Sequence, residues 1–547
     1  MTVGCGERLR PWQLGVLAAL CLILFLPGFF TLPPFDRDEA RYAQASRQML
    51  ESGNYVDIHF QAEERLKKPV GVYWLQAASV GLFSDAASAE IWPYRVPSLL
   101  GAIAAVLVTA WAGTRLFGAS VAMTAAVMLA GCVLLGVEAR MAKTDAVLLA
   151  TIVLAQGALA RVWLERDGEG PPGWAMPLLF WAAIGFGILV KGPIGPMVSG
   201  LTVLGLCLAE RRARWLLRLR PLAGLAVVLA VAAPWLVAIS IKTQGRFLAE
   251  SVGHDLAAKI VAGQEAKGSP PGAFFLTFWF TYAPFALPAA LAAPWAWRNR
   301  RDPAVLFCLA WLVPSWLMFE GAATKLLHYV LPTFPAIALL TARAAADGFG
   351  RHRPRFFIAS AVLAGLGVLG LAGLAQLLPW FLDHRLPVPA VAASVALAVA
   401  FAAAVLLLWR GRRPAAFALL LAGIAVWDGV AFGSVLPGMD GMWLSRQVAE
   451  RVAVLRPCPR SVVASGGYTE PSLVFLLGTP TRLGAGETAA EHLRADPACG
   501  LALVEGRVEA AFRQSLGGLA VKPLASVAGF NYSRGQRQTL TLYAAER

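Results

Sequence analysis

The sequence predicts an all-α polytopic membrane protein that carries a small C-terminal α/β domain. Three observations lead there. Of its 547 residues, 58% are hydrophobic and only 15% charged, whereas soluble domains carry about a quarter charged residues. Mean hydropathy is +0.61. The apolar residues fall in blocks of about 20, the length that crosses a hydrocarbon core as a helix. The period-two alternation of a membrane β-barrel is not seen.

Roughly thirteen blocks qualify as spans by length and hydropathy. They lie at about 12–32, 93–114, 118–137, 144–162, 174–190, 193–209, 221–241, 273–297, 304–319, 325–343, 356–378, 388–409 and 415–435. The first follows Arg8 and Arg10, as in a signal peptide, but no small-residue cleavage site comes after it, so it reads as a retained span. Lys191-Gly192-Pro193 separates two blocks that could also be one broken helix, and the block ending at Phe319 is short.

Arginine placement orients the chain. With the N-terminus in the cytoplasm, the inside loops hold Arg115, Arg161, Arg166, the run from Arg211 to Arg220, Arg298 to Arg301, Arg343 to Arg355 and Arg410 to Arg413. This positive-inside pattern explains the net charge of +15 and leaves no role for nucleic acid. The odd span count puts the C-terminus outside, with two long outside segments, 33–92 and 242–272. The first contains a helix-like stretch, Asp38 to Leu50, then a turn at Ser52-Gly53-Asn54.

Residues 1–436 thus read as a membrane domain and 437–547 as an outside α/β domain. In the latter, Ser461 to Ser465 and Thr539 to Ala544 read as strands, and Ser445 to Leu455 and Glu487 to Ala495 as helices. Cys458 and Cys499 lie there and could pair in an oxidising compartment, although spacing does not establish that they meet. Cys5, Cys21, Cys132, Cys207 and Cys308 accompany apolar spans and read as packing residues. No spacing suggests a zinc or thioredoxin motif.

Five polar clusters fall on the outside face. In DRDEARY, Asp36 to Tyr42, a helix would place Asp38, Arg41 and Tyr42 on one surface. The carboxylate suits a general base or a ligand for a metal or amino group, and the guanidinium suits a phosphate. Acids stabilising a helix N-terminus are the structural alternative. Lys67-Lys68-Pro69 with Tyr73-Trp74 suits phosphate recognition or interfacial anchoring. In Glu138-Ala-Arg140-Met-Ala-Lys-Thr-Asp145, charges near the bilayer are costly unless paired or used, and Asp145 could cap a helix. Lys191 in VKGPIG, and Lys325 with His328 and Tyr329, complete the set. Gly253-His254-Asp255 and Gln264-Glu265-Ala266-Lys267 are weaker signals. Acids and cations converging at a membrane face suit a phosphate with a lipid tail, such as a polyprenyl-phosphate sugar. A lipid or sugar transporter is the rival reading, but it calls for mid-span charges and repeated halves.

The ordered motifs DRDEARYAQASRQML, KKPVGVYW, EARMAKTDA, VKGPIG and KLLHYVLP resemble the ArnT-like, protein-mannosyltransferase-related lipid-linked glycosyltransferases of the GT-C class. The resemblance covers about residues 10–340. It implies a bacterial inner-membrane enzyme acting at the periplasmic face. The donor would be a polyprenyl-phosphate sugar and the acceptor lipid A, or another periplasmic acceptor. Family members add 4-amino-4-deoxy-L-arabinose to lipid A phosphates, giving polymyxin resistance; relatives use other sugars, including galacturonic acid. The resemblance implies catalytic roles for Asp38, Glu39 and Asp145. It implies substrate contacts for Arg41, Tyr42, Lys68, Tyr73, Arg140, Lys191, Lys325 and Tyr329. No cofactor is identified, and a divalent metal is left open. One departure stands out: Lys67 occupies the position where ArnT proteins usually carry Glu, which favours an acidic sugar over a cationic one.

Overall fold

The computed structural model describes residues 9–168, 173–251, 269–350 and 354–546. Cys5, Arg8, Arg351, Arg353 and the His254 and Glu265 clusters lie outside the described residues.

The chain is helical through its first four-fifths. The N-terminal half contains α1 (Pro11–Phe25), α2 (Asp38–Ser52), α3 (Gly71–Phe83), α4 (Trp92–Phe117), α5 (Ala119–Ala130), α6 (Val133–Ala139), α7 (Asp145–Leu164), α8 (Ala175–Lys191), α9 (Ile194–Glu210) and α10 (Pro221–Lys242). Between α2 and α3 lies a hairpin of β1 (His59–Phe60) and β2 (Glu63–Glu64). Six further helices follow: Ala273–Thr281, Ala286–Arg298, Pro303–Gly321, Pro354–Asp383, Val388–Trp409 and Arg413–Val430. Leu327–Ala346 forms another, opening with a 3-10 turn.

Among the described residues, eight helices are long and apolar enough to cross a membrane, and α5 with α6, bent by 65°, make a ninth. The other expected spans are helical but short or interrupted. α1 has 15 residues, and α8 and α9 have 17 each. The block at 273–297 breaks between Thr281 and Ala286. Hydropathy sums apolar residues over a window and does not register such breaks.

α2 begins at Asp38, as its acidic first turn favours. It ends where Gly53 adopts φ +68°, the left-handed cap that glycine accepts without strain. Beneath the hairpin a separate small core packs Tyr42, Met49, Ile58, Tyr73, Trp235 and Phe247.

The C-terminal part forms a five-stranded sheet from β3 (Val463–Gly466), β4 (Arg482–Gly484), β5 (Leu501–Glu505), β6 (Val521–Asn531) and β7 (Gln536–Ala545), in the order β4-β3-β5-β7-β6. β3 runs parallel to β4 and β5, while β7 is antiparallel to β5 and β6. Helix Leu444–Leu455 covers one face, and Gly486–Ala495 with Glu509–Ser515 covers the other. The sequence reading found two strands of the five; β5, buried throughout, shows no alternation to reveal it. Cys458 and Cys499 are joined in a disulfide.

This sheet domain docks on the segment that opens α2. The Asp36 carboxylate accepts from Ser472 N at 3.1 Å, and Asp36 N donates to the Tyr532 hydroxyl at 2.6 Å. Arg37, at φ +65°, is in a strained conformation for a non-glycine residue, and its guanidinium donates to Ser533 O at 2.6 Å. Further along α2, buried Arg47 donates to Phe475 O at 2.5 Å and lies 4.6 Å from the centre of the Phe475 ring.

Candidate active site

A cavity of about 1070 Å³ opens where α2, the β1–β2 hairpin, the 140–144 loop, α8 and the 324–329 segment converge. Asp38, Arg41 and Tyr42 line it from α2, so the three-and-four spacing delivers a carboxylate, a guanidinium and a phenol to one wall. Lys68, Asp145, Lys191 and Tyr329 line it too. Five distant motifs of the sequence therefore meet in one chamber.

Close backbone packing makes this possible. A side chain at Gly71 would lie 2.7 Å from Leu189 O, so only glycine lets α3 approach α8 and brings Lys68 beside Lys191. Lys191 ends α8, where a cation meets the negative end of the helix dipole.

The floor is a network of alternating charge. Lys191 Nζ is 2.5 Å from Asp145 Oδ1, and Lys143 Nζ is 3.0 Å from Glu138 Oε1. His328 lies between the two acids, Nδ1 3.7 Å from Glu138 Oε1 and Nε2 3.7 Å from Asp145 Oδ1. Lys191 also lies 5.6 Å from the centre of the Tyr329 ring. Glu138, Asp145 and His328 have metal-ligand spacing, with ligand atoms within 4.8 Å of one another. Two buried or half-buried ammonium groups already sit on these carboxylates and balance their charge.

Asp38 stands at the mouth of this network with its side chain open to the cavity. Its enclosure opposes charge, but Lys143, Arg65 and His328 outweigh that and hold the carboxyl below the usual carboxylate range. Lys143, burial notwithstanding, is held above the usual lysine range by Glu138 and Asp145. Both groups are therefore charged at neutral pH.

Several expected site residues stand elsewhere. Glu39 is fully buried and bonded to Arg95, turned away from the cavity. Tyr73 is also fully buried; its hydroxyl accepts from Arg65 Nε at 2.8 Å, and its ring lies 5.2 Å from that of Tyr42. Arg140 donates to the carbonyls of Pro27 at 2.7 Å, Gly136 at 2.5 Å and Leu24, and packs over Phe432. Lys325 Nζ donates to Ser269 O at 2.8 Å and Ala322 O at 2.6 Å, tying two loops together. These four act as supports behind the wall.

Three cavity cations escaped the sequence reading: Arg65, Lys143 and Arg246. Lys143 had a signal, two residues before Asp145 in the same loop. Arg65 follows a two-residue strand and Arg246 opens a three-residue helix, elements too short for any periodicity to encode.

Below the polar chamber a narrower slot of about 200 Å³ continues between α9 and helix Pro303–Gly321. Lys67, Lys68, Asp145, Lys191, His328 and Tyr329 border both spaces. Beyond them the slot is walled by Leu148, Ile194, Met197, Met318, Phe319 and Pro332. A charged chamber thus passes directly into an apolar one.

Residues 67–237 match the family model of the dolichyl-phosphate-mannose-protein mannosyltransferases. The chain is 31% identical over 387 residues to the undecaprenyl phosphate-alpha-4-amino-4-deoxy-L-arabinose arabinosyl transferase of Aeromonas salmonicida, an alignment spanning 66% of each chain. The chain belongs to the ArnT-like family of membrane glycosyltransferases. The Erwinia tasmaniensis enzyme of the same name is 29% identical, over 75% of this chain and 73% of that protein. In fold, this ArnT-like chain matches ArnT from Cupriavidus metallidurans bound to undecaprenyl phosphate, with a TM-score of 0.75 over 98% of both chains at 20% identity. An Archaeoglobus fulgidus oligosaccharyltransferase matches with a TM-score of 0.51 at 11% identity, covering 91% of this chain and 70% of that one. The GT-C architecture expected from the ArnT-like motifs is therefore present from end to end.

Proposed function

We propose that this ArnT-like enzyme transfers a sugar from a polyprenyl-phosphate donor to a phosphate of lipid A, at the periplasmic face of the bacterial inner membrane. The carrying observation is the continuity of the cation-lined chamber with the apolar slot. A polyprenyl tail belongs in the slot, and its phosphate then falls among Lys68, Lys191 and Tyr329. The related enzymes are named for an undecaprenyl-phosphate donor carrying aminoarabinose, which makes that sugar the first candidate.

The reaction is an inverting single displacement. An acceptor oxygen attacks the anomeric carbon, the bond from that carbon to the phosphate oxygen breaks, and the electron pair leaves with the phosphate. Arg41, Lys68 and Lys191 stabilise the charge that develops there, the largest catalytic term for such a leaving group. An acceptor phosphate is already anionic and needs no strong base, so Asp38 positions it; an acceptor hydroxyl would give Asp38 its proton. The transporter reading loses its footing, because the charges gather at one end of the bundle and the family consists of transferases.

Lys67 favours a second donor. It is exposed and borders both spaces, adding a cation where an acid would recognise an amino sugar. A uronic acid would meet it as a salt bridge. A donor panel in which only the aminoarabinose lipid is used would rule this out. Mass spectrometry of lipid A from cells with and without the protein, beside an Asp38→Asn control, tests the main reading. An Asp38-dependent mass shift is expected. No shift would move the acceptor to another glycan, lipid or protein.

A further inference from the structure

The β1–β2 hairpin carries a cluster that the transfer reaction does not use. His59 and Glu64 face each other across the hairpin, and Asp57 lies two residues before His59. Their ligand atoms all lie within 4.8 Å of one another. His59 Nε2 is 3.7 Å from Asp57 Oδ2. Around a tetrahedral zinc ion with bonds near 2.05 Å, neighbouring ligand atoms stand about 3.3 Å apart, so small side-chain movements would close the site.

A second observation points the same way. The Asp57 side chain is only 8% exposed, and its Oδ1 has no hydrogen-bond partner among the described residues. A buried carboxylate oxygen left without a partner is costly, and a native structure retains such an atom for a reason. Coordination to a cation would supply the missing partner.

Two cations already approach the cluster. Lys242 Nζ lies 3.5 Å from Asp57 Oδ2, and Arg246 grips Glu64 at 2.7 and 3.0 Å. Their side chains are 43% and 60% exposed. Both cationic side chains reach into water, so each can swing aside when a metal ion takes its carboxylate. His59 and Lys242 both face Oδ2, and a turn of the carboxylate would bring Oδ1 to the same position.

We infer that Asp57, His59 and Glu64 form a binding site for one zinc-type divalent ion on the rim of the cavity. One imidazole nitrogen with two carboxylates suits zinc better than calcium or magnesium, which prefer all-oxygen ligands. The site is structural. It pins the base of the arm that carries Arg65, Lys67 and Lys68, while Gln61 at the hairpin tip donates to Thr479 O at 3.2 Å and to Thr481 O. This inference does not depend on the sugar or the acceptor.

The test uses the full chain in detergent, stripped with a chelator and titrated with zinc against a chromogenic competitor. One ion per chain is expected. Asp57→Asn and His59→Gln should each weaken binding at least tenfold while circular dichroism stays unchanged. Lys242→Met should tighten binding several-fold by releasing Oδ2. Equal zinc uptake by the wild type and the Asp57→Asn/His59→Gln double variant would overturn the site, as would no uptake by the wild type. If the Asp57 and His59 variants do not fold, Lys242→Met decides: unchanged or weaker binding in that variant also overturns it.

Discussion

Arg95 of α4 grips both carboxylate oxygens of Glu39, Nε to Oε1 at 2.8 Å and Nη2 to Oε2 at 3.0 Å, and both side chains are fully buried. Glu39 also accepts from Phe35 N at 2.8 Å and Ala142 N at 2.7 Å, while Arg95 donates to the carbonyls of Phe29, Leu32 and Pro33. One pair thus ties the exit of α1, the start of α2 and the loop carrying Lys143 into a single unit. Glu39→Ala should leave a buried guanidinium without its counter-charge and cost about 3–5 kcal/mol of stability. Thermal melts of the purified chain check this; a variant that melts like the wild type but turns over slowly would return Glu39 to the chemistry.

Asp38, next in sequence, should behave in the opposite way. Asp38→Asn keeps the shape and removes the charge. Turnover should fall about 100- to 10,000-fold, the span typical of a positioned acid–base group. The melt should not drop. Near-wild-type turnover would remove Asp38 from the mechanism.

Lys68→Met should weaken transition-state stabilisation by about 1.5–3 kcal/mol, the worth of a hydrogen bond to a charged group, or roughly 10- to 150-fold in kcat/KM. Steady-state kinetics with a short-chain polyprenyl-phosphate sugar reads this directly. Lys67→Glu should shift preference toward an amino sugar if the uronic acid reading holds, and an unchanged donor ranking would count against it.

Docking of the sheet domain should depend on pH through Asp36. Burial, helped by nearby Glu470, pushes its carboxyl up to about 7, against the hydrogen bonds from Ser472. The docked state therefore binds a proton that the undocked state has released above pH 4 or so. The contribution to stability is full below about pH 4 and is lost as pH rises through about 7. Melts between pH 5 and 8 should show a declining transition, and Asp36→Asn should flatten that slope.

The disulfide between Cys458 and Cys499 closes a loop across 41 positions. By chain entropy it contributes about 4 kcal/mol to the sheet domain. Replacing both cysteines with serine should lower the domain's melting transition, and reductant should have the same effect on the wild type.

Some of this was legible in the sequence for physical reasons. The helical character of the apolar blocks and the Asp38/Arg41/Tyr42 spacing both follow from helix geometry. Glu39 was misplaced because one step along a helix turns a side chain by about 100°, and its partner lies 56 residues away inside a span. Lys325 looked like a ligand for phosphate, yet in an irregular segment nothing local states which way a side chain points. Buried Tyr73 and Arg140 show the same limit: both sit within the right motif and serve it from behind.

Thr469, Pro471 and Leu483 of the sheet domain line the same cavity as Asp38, although more than four hundred residues separate them along the chain. During synthesis, Asp38 is made early and waits through every later helix for the rest of its own surroundings. The wall closes only after the last helix of the bundle has been made and the sheet domain has folded. A chain that stops short of the sheet domain therefore leaves Asp38 in an unfinished cavity wall.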